Sequence, residues 1–323
     1  MSGPRPLLLG LDWSTTYGGG LNRYLRELGT ALAADGGAPP LAVVVGPADG
    51  APPWVRSTST LAVPIPARLR ALGRVAAEAA READVVDVHF ALNGTVALAA
   101  PALRRLPMVV HFQGPWADES AEMGERRRSV IAGKRAVERA VYHRAAALVV
   151  LSRAFADILV DRYGVPRRRI RVLAPGVDLA RFSPGDRAAA RARLSVPDGA
   201  WTAVVVRRLV PRMGIDVLLD AWAALDDPDR LLLVVGGGVA RDDLERRAAD
   251  LGLGDRVRFL GQVPDEDLVA AYRAADVSVV PSLALEGFGL VVLEALACGT
   301  PVVTTDAGGL GEAVEGLDPG LIV

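Results

Sequence analysis

Ala174–Gly185 reads APGVDLARFSPG: two turn-forming Pro-Gly pairs with little periodicity between them. It separates two stretches of regular pattern. Before it, the short apolar runs Pro6–Leu11, Leu41–Gly46, Asp84–Phe90, Met108–His111 and Ala147–Leu151 lack period-two alternation, as parallel strands buried on both faces do. Between them, Leu21–Ala34, Ala67–Arg81, Arg126–Arg144 and Ser152–Tyr163 have helical spacing, with Ser152 where an N-cap belongs. After it the alternation starts again. Strands are expected at Thr202–Val206, Leu231–Val235, Val257–Leu260, Val277–Val280 and Pro301–Thr304, with helices at Gly214–Ala224, Ala240–Leu251, Asp265–Ala275 and Gly289–Cys298. Pro264 stands just ahead of one of these, where its fixed φ suits a helix start. Strand–helix alternation of this kind predicts a doubly wound α/β sheet. The expectation is two Rossmann-like domains, residues 1–172 and 186–323, joined by a linker at 173–185 and facing each other across a cleft. Ligands of such sheets bind at the carboxyl ends of the strands, so functional motifs belong on strand-to-helix loops.

Composition narrows the function classes. The 323 residues are 51% hydrophobic and 23% charged, which excludes a disordered chain. The one cysteine, Cys298, excludes a disulfide framework and a cysteine-rich zinc site. Three histidines (His89, His111, His143) would nearly all be needed for a multi-histidine metal centre. The net charge of −1 conceals an asymmetry: residues 1–172 carry 23 basic and 15 acidic side chains (+8), whereas residues 173–323 carry 14 and 23 (−9). A basic half suits a phosphate-bearing partner or an anionic membrane surface. The basic segment Glu125–Arg144, with Arg126, Arg127, Arg128, Lys134, Arg135 and Arg139, is where peripheral membrane contact or a phosphorylated acceptor would be expected. The N-terminal apolar run ends at Asp12, too short for a signal peptide, and no run approaches the roughly 18 residues of a spanning helix. These features predict a cytoplasmic protein, at most peripheral to the inner face of the membrane.

Five segments carry chemistry. Tyr17–Gly20 (YGGG) precedes the first helix, where Gly18, Gly19 and Gly20 would let the backbone approach a ligand near free N–H groups. It is not a G-x-G-x-x-G dinucleotide fingerprint. His111 opens HFQGPW (111–116) at a strand end, where it can hydrogen-bond a polar ligand. Arg207, Arg208 and Arg212 in VRRLVPRMG (206–214) follow the first strand of an otherwise acidic half, and guanidinium groups suit bidentate phosphate contacts. Gly236 and Gly237, in the glycine run 236–238, make a phosphate-friendly turn. The strongest segment is Leu283–Cys298, LALEGFGLVVLEALAC. It places Glu286 in a loop and Glu294 just inside the following helix, around the N–H groups of Gly287, Phe288, Gly289 and Leu290. Two carboxylates flanking an anion nest suit a nucleotide sugar, because carboxylates accept from sugar hydroxyls while the helix terminus holds a diphosphate.

Together with APGVD (174–178), VVGGG (234–238) and TDAGGLGE (305–312), these motifs resemble the retaining glycosyltransferases of family 4 over essentially the whole chain. The resemblance implies the GT-B architecture and metal-independent transfer from a nucleotide-diphosphate sugar, a UDP-sugar ahead of a GDP- or dTDP-sugar, to an acceptor hydroxyl. No other cofactor and no nucleic acid are implied, and the acceptor (glycan, lipid-linked or small molecule) is left open. It also implies roles. Glu286 would contact the donor sugar and help position its anomeric centre, Glu294 the ribose hydroxyls, Arg208 the diphosphate, His111 the sugar hydroxyls, and the glycines at 18–20 the acceptor side. Many relatives carry a lysine where this chain has Met213, which leaves Arg207 or Arg212 to supply the charge. The family usually continues past Gly320–Val323 into helices that this sequence does not contain. With no nucleophile singled out, a front-face reaction is expected, in which the donor phosphate takes the acceptor proton. A nucleotide-sugar epimerase and a catalytically impaired nucleotide-sugar-binding protein are the alternatives.

Overall fold

A computed structural model describes residues 3–13, 20–225 and 227–323. The chain divides into two compact units: residues 1–121 with 125–173, and residues 122–124 with 174–323. Among the described residues the first unit holds a seven-stranded parallel sheet. Its strands are β1 (Pro6–Gly10), β2 (Leu41–Val44), β3 (Val55–Ser57), β4 (Val85–Val88), β5 (Met108–Phe112), β6 (Ala147–Val150) and β7 (Ile170–Val172). Their order is β3-β2-β1-β4-β5-β6-β7. The second unit holds a five-stranded parallel sheet of β8 (Trp201–Val206), β9 (Arg230–Val235), β10 (Val257–Gly261), β11 (Val277–Val280) and β12 (Val302–Thr304), in the order β10-β9-β8-β11-β12. In both sheets the order reverses at the first strand, the doubly wound pattern whose switch point is a ligand site.

Burial on both faces explains why the strands read as unbroken apolar runs. Leu7 and Leu9 of β1 enter one core while Leu8 enters another with Trp13, Leu25 and Val44. In the second unit Val204 packs on one face of β8, and Ala203 and Val205 on the other. All three are fully buried. Each fully buried leucine contributes about 2 kcal/mol of apolar transfer free energy, and both rows of the central strands take part. The helix Arg153–Tyr163 begins where the sequence predicts, with Ser152 Oγ accepting from the Phe155 N–H at 3.1 Å, and ends at Gly164 in the left-handed conformation.

Three features depart from the sequence expectation. β3 and β7 carry no apolar run because they are three-residue edge strands with mostly outward-facing side chains. The helix Ala91–Ala99 (ALNGTVALA) escapes a periodicity search because it is apolar nearly all round. The stretch expected to be a linker, 173–185, belongs from Ala174 onward to the second unit. Phe182 is buried against Tyr272 (ring centroids 6.2 Å apart), and Arg181 Nη1 lies 3.1 Å from Asp265 Oδ2. Among the described residues no helix is long and apolar enough to cross a membrane.

Candidate active site

At the carboxyl end of the first sheet, β5 brings His111 beside Asp87 and His89, which lie in and directly after β4. His111 Nε2 lies 3.2 Å from Asp87 Oδ1, and His89 Nε2 lies 3.8 Å from Asp87 Oδ2. Among the described residues no donor meets Asp87 Oδ1 in hydrogen-bond alignment, so the contact with His111 is electrostatic. The helix Gly20–Ala34 supplies Tyr24, whose hydroxyl is 3.1 Å from His111 Nδ1. A proton on Nε2, facing the carboxylate, leaves Nδ1 to accept from that hydroxyl. His111 is therefore pinned at both ring nitrogens. Burial alone would raise the Asp87 carboxyl, but His111 and His89 beside it reverse this and hold it below the usual range. Burial, then the Asp87 charge, pushes the Tyr24 hydroxyl up to about 12. Of the expected acceptor-side glycines, Gly18 and Gly19 lie outside the described residues. Gly20 begins the helix with open space around it.

Asp87, His89 and His111 offer donor atoms within 4.8 Å of one another, the spacing a single ion needs. Their orientation does not fit one. The two imidazoles stack with centroids 4.4 Å apart and planes only 10° apart, so their in-plane lone pairs run side by side instead of converging on a point.

His89 gives a pH prediction. It is fully buried, neither ring nitrogen has a hydrogen-bond partner among the described residues, and burial lowers its pKa from 6.5 to about 3. The unfolded chain takes up this proton as pH falls below about 6.5, while the folded chain resists until about 3, so stability declines across that window. Asp87 acts in the same sense lower down, its contribution being lost as pH falls through its depressed value. Between pH 7.5 and pH 5 the native protein should lose about 2 kcal/mol more than His89→Phe in urea unfolding. Parallel pH profiles would refute a neutral His89.

The second unit gathers most of the expected donor-side residues at the β8/β11 switch point. Arg207, directly after β8, is buried, and its Nη1 lies 3.2 Å from Glu286 Oε2. Its Nε and Nη2 are buried without a hydrogen-bond partner among the described residues. Two such donors on a buried guanidinium are costly unless an anion supplies the acceptors. The Ser282 hydroxyl lies 3.4 Å from Glu286 Oε2 and 3.6 Å from the Met213 sulfur. Met213 thus connects to this carboxylate only through Ser282, and brings no charge. Arg212 does different work: its Nη1 donates to the carbonyls of Leu285 (3.0 Å) and Ala284 (3.3 Å), bracing the loop before Glu286, where Leu285 adopts a φ of +55°. Arg208 is exposed on the same loop as Arg207.

The Glu286 backbone is held by the segment after β12. The Gly309 N–H donates to the Glu286 carbonyl at 2.9 Å. The N–H groups of Gly287, Phe288 and Gly289 donate to no acceptor among the described residues, and Gly289 (φ +86°) leads into the helix Leu290–Ala297. Glu294 is buried and accepts from the Tyr272 hydroxyl at 2.9 Å. Burial, followed by the neighbouring Glu294 charge, raises that hydroxyl well above its ordinary range. The glycine run 236–238 has a packing reason. A Cβ on Gly236 would lie 1.9 Å from the Arg207 carbonyl oxygen, and one on Gly238 would lie 2.2 Å from that of Leu209. These glycines let the Arg207–Leu209 loop pass over them, and the Leu209 N–H donates to the Gly237 carbonyl at 2.9 Å.

Residues 18–181 match Glycosyltransferase Family 4, and residues 186–323 match Glycosyl transferases group 1. The chain belongs to glycosyltransferase family 4. Among curated family 4 relatives it is 41% identical over 249 residues to D-inositol 3-phosphate glycosyltransferase of Nocardia farcinica, covering 74% of this chain and 55% of that protein. The Geodermatophilus obscurus protein of the same name is 43% identical over 260 residues, covering 73% and 57%. The chain therefore spans a little over half the length of these relatives. Sucrose-phosphate synthase from Thermosynechococcus elongatus superimposes with a TM-score of 0.82 at 29% identity, covering 99% of this chain and 86% of that one. Anabaena HepE, solved in complex with UDP-glucose, shares the fold with a TM-score of 0.80 at 23% identity, covering 99% and 85%. The α/β architecture is that of GT-B glycosyltransferases.

Sequence reasoning missed Asp87, Tyr24 and Tyr272, which no motif flags because each acts through a partner distant in the chain. It also missed Glu138. This buried carboxylate accepts from the Tyr163 hydroxyl (2.9 Å), the Tyr142 hydroxyl (3.3 Å) and the Ala117 N–H (3.3 Å), tying down the turn that carries Trp116. Part of the expected anionic-surface helix is spent internally: Arg135 pairs with Asp118 at 2.6 Å, Arg127 pairs with Glu125, and Lys134 donates to Ser120.

Proposed function

We propose that this chain transfers a sugar from a nucleoside-diphosphate sugar to an acceptor hydroxyl with retention at the anomeric carbon and without a metal ion. The observation that carries the reading is Arg207: a buried guanidinium, balanced by Glu286, with two donors that have no partner among the described residues, while the N–H groups of the next three residues after Glu286 are also without an acceptor there. That arrangement suits a diphosphate, with fixed positive charge taking the place of a cation. Arg207, not Arg212, supplies the charge that Met213 lacks, because Arg212 is engaged with loop carbonyls. Arg208 adds exposed charge on the same loop. Glu294, fixed by Tyr272, accepts from the ribose hydroxyls, and Glu286 meets the donor sugar. His111, pinned by Asp87 and Tyr24, meets a sugar hydroxyl by exchanging one of those contacts. The donor phosphate, held by Arg207 and the loop amides, takes the acceptor proton as the leaving group departs. A UDP-sugar is the first choice of donor, since HepE shares the fold and was solved with UDP-glucose.

Calorimetry against UDP-, GDP- and dTDP-glucose tests the donor, with binding to UDP-glucose expected. Glu294→Gln keeps an acceptor for Tyr272 but loses the charged one for ribose, and should weaken UDP-glucose binding roughly tenfold. Unchanged affinity would remove Glu294 from the ribose. Proton NMR of the product tests stereochemistry, and an inverted anomer would overturn the retaining reading.

A further inference from the structure

We propose that the acceptor taken by the first unit is an amphipathic anion: an apolar ring body carrying a carboxylate or phosphate. This rests on the transferase reading above and names its second substrate. A cavity of about 240 Å³ opens at the carboxyl end of the first sheet. Leu11 follows β1 and Val45 follows β2, while Leu69, Phe90 and Trp116 line the rest. The Phe90 and Trp116 rings meet edge to face at 5.4 Å, and Lys134 lies 5.0 Å over Trp116, on a segment anchored by Glu138. Two aromatic rings and branched aliphatic side chains favour a flat apolar body. A polyol would lose the hydration of several hydroxyls here and regain few hydrogen bonds.

The polar groups of the cavity say what the apolar body carries. The Asn93 amide is spent on the Gly10 carbonyl at 2.8 Å. Arg68, on the helix Ile65–Ala79, is the charged lining residue, and its guanidinium makes no ion pair with any described residue. An unpaired arginine at the edge of an apolar room selects an anionic substituent. Phe90 and Trp116 also line a second, smaller cavity with His89, His111 and Gln113, so the two rooms are neighbours. There the Gln113 Nε2 is buried with no partner among the described residues, a donor ready for the acceptor's hydroxyl.

The test uses the full chain and four probes in calorimetric or saturation-transfer titrations: 6-hydroxy-2-naphthoate, its neutral methyl ester, 2-naphthyl phosphate, and an inositol phosphate. At least one naphthyl anion should bind at least fivefold more tightly than the ester, and the better of the two tells carboxylate from phosphate. The inositol phosphate should bind more weakly than either. Arg68→Gln should bring the anions to the level of the ester and leave the ester unchanged. Leu69→Trp, which fills the room, should abolish all naphthyl binding, with thermal unfolding as the folding control. Tighter binding of the inositol phosphate, or naphthyl binding that ignores both variants, would overturn the proposal. UDP-glucose titrations report on the second unit separately. Failure there with naphthyl binding intact would sink the transferase reading and leave the pocket standing.

Discussion

Glu286→Gln should lower sugar transfer by at least about 100-fold while leaving UDP-glucose affinity unchanged or tighter. The two effects separate because Glu286 has two neighbours. Toward the donor sugar of the proposed reaction it would offer a negative charge that a glutamine does not. Toward Arg207, 3.2 Å away, it neutralises part of the guanidinium charge. Removing that negative charge frees Arg207 for the diphosphate, so binding has no reason to fall. Alanine is the poorer probe, since it also empties the space beside a buried cation and invites collapse of the loop. Steady-state kinetics with calorimetry on the same preparation reads both quantities. A variant that loses affinity and transfer in proportion would show Glu286 to be a binding group only.

Gly236→Ala should destabilise the second unit by about 3–5 kcal/mol, a fall of roughly 10 °C in its thermal midpoint. Gly236 adopts a φ of +131°, where side chains are strained, and its Cβ would meet the Arg207 carbonyl oxygen at 1.9 Å. That contact is with backbone, so no rotamer change relieves it. The Arg207 loop would have to lift, which also withdraws the guanidinium from Glu286. Gly37→Ala, with nothing within 4 Å of the new methyl, should shift stability by less than about 0.5 kcal/mol. A Gly236→Ala protein as stable as the native one would refute the close passage of the two loops.

The doubly wound alternation was readable because strands buried on both faces leave apolar runs such as Leu7–Leu9 and Leu231–Val235, and each is followed by a helical segment. The edge strands β3 and β7 were not, since an edge needs few apolar side chains. The Glu286–Glu294 spacing was readable because both residues sit on one continuous loop and helix. The role of the glycine run was legible only in part: glycines at 236–238 announce close approach, and the structure shows the Arg207–Leu209 loop making one at Gly236 and Gly238.

Local pattern thus determined the two parallel sheets, the loop on which each residue expected on the donor side sits, and the family. Ala174–Gly185 was legible as the boundary between the two series, its turns and broken periodicity being local properties of the chain. Only the tertiary structure decided that Phe182 within it enters the second core, that Arg207 faces Glu286 while Arg212 braces a loop, and that His111 is held between Asp87 and Tyr24. Each of these depends on which strands the sheet places side by side. Sequence spacing carries periodicity along an element, whereas strand order brings together residues that may stand 70 or more positions apart, as Arg212 and Leu285 do.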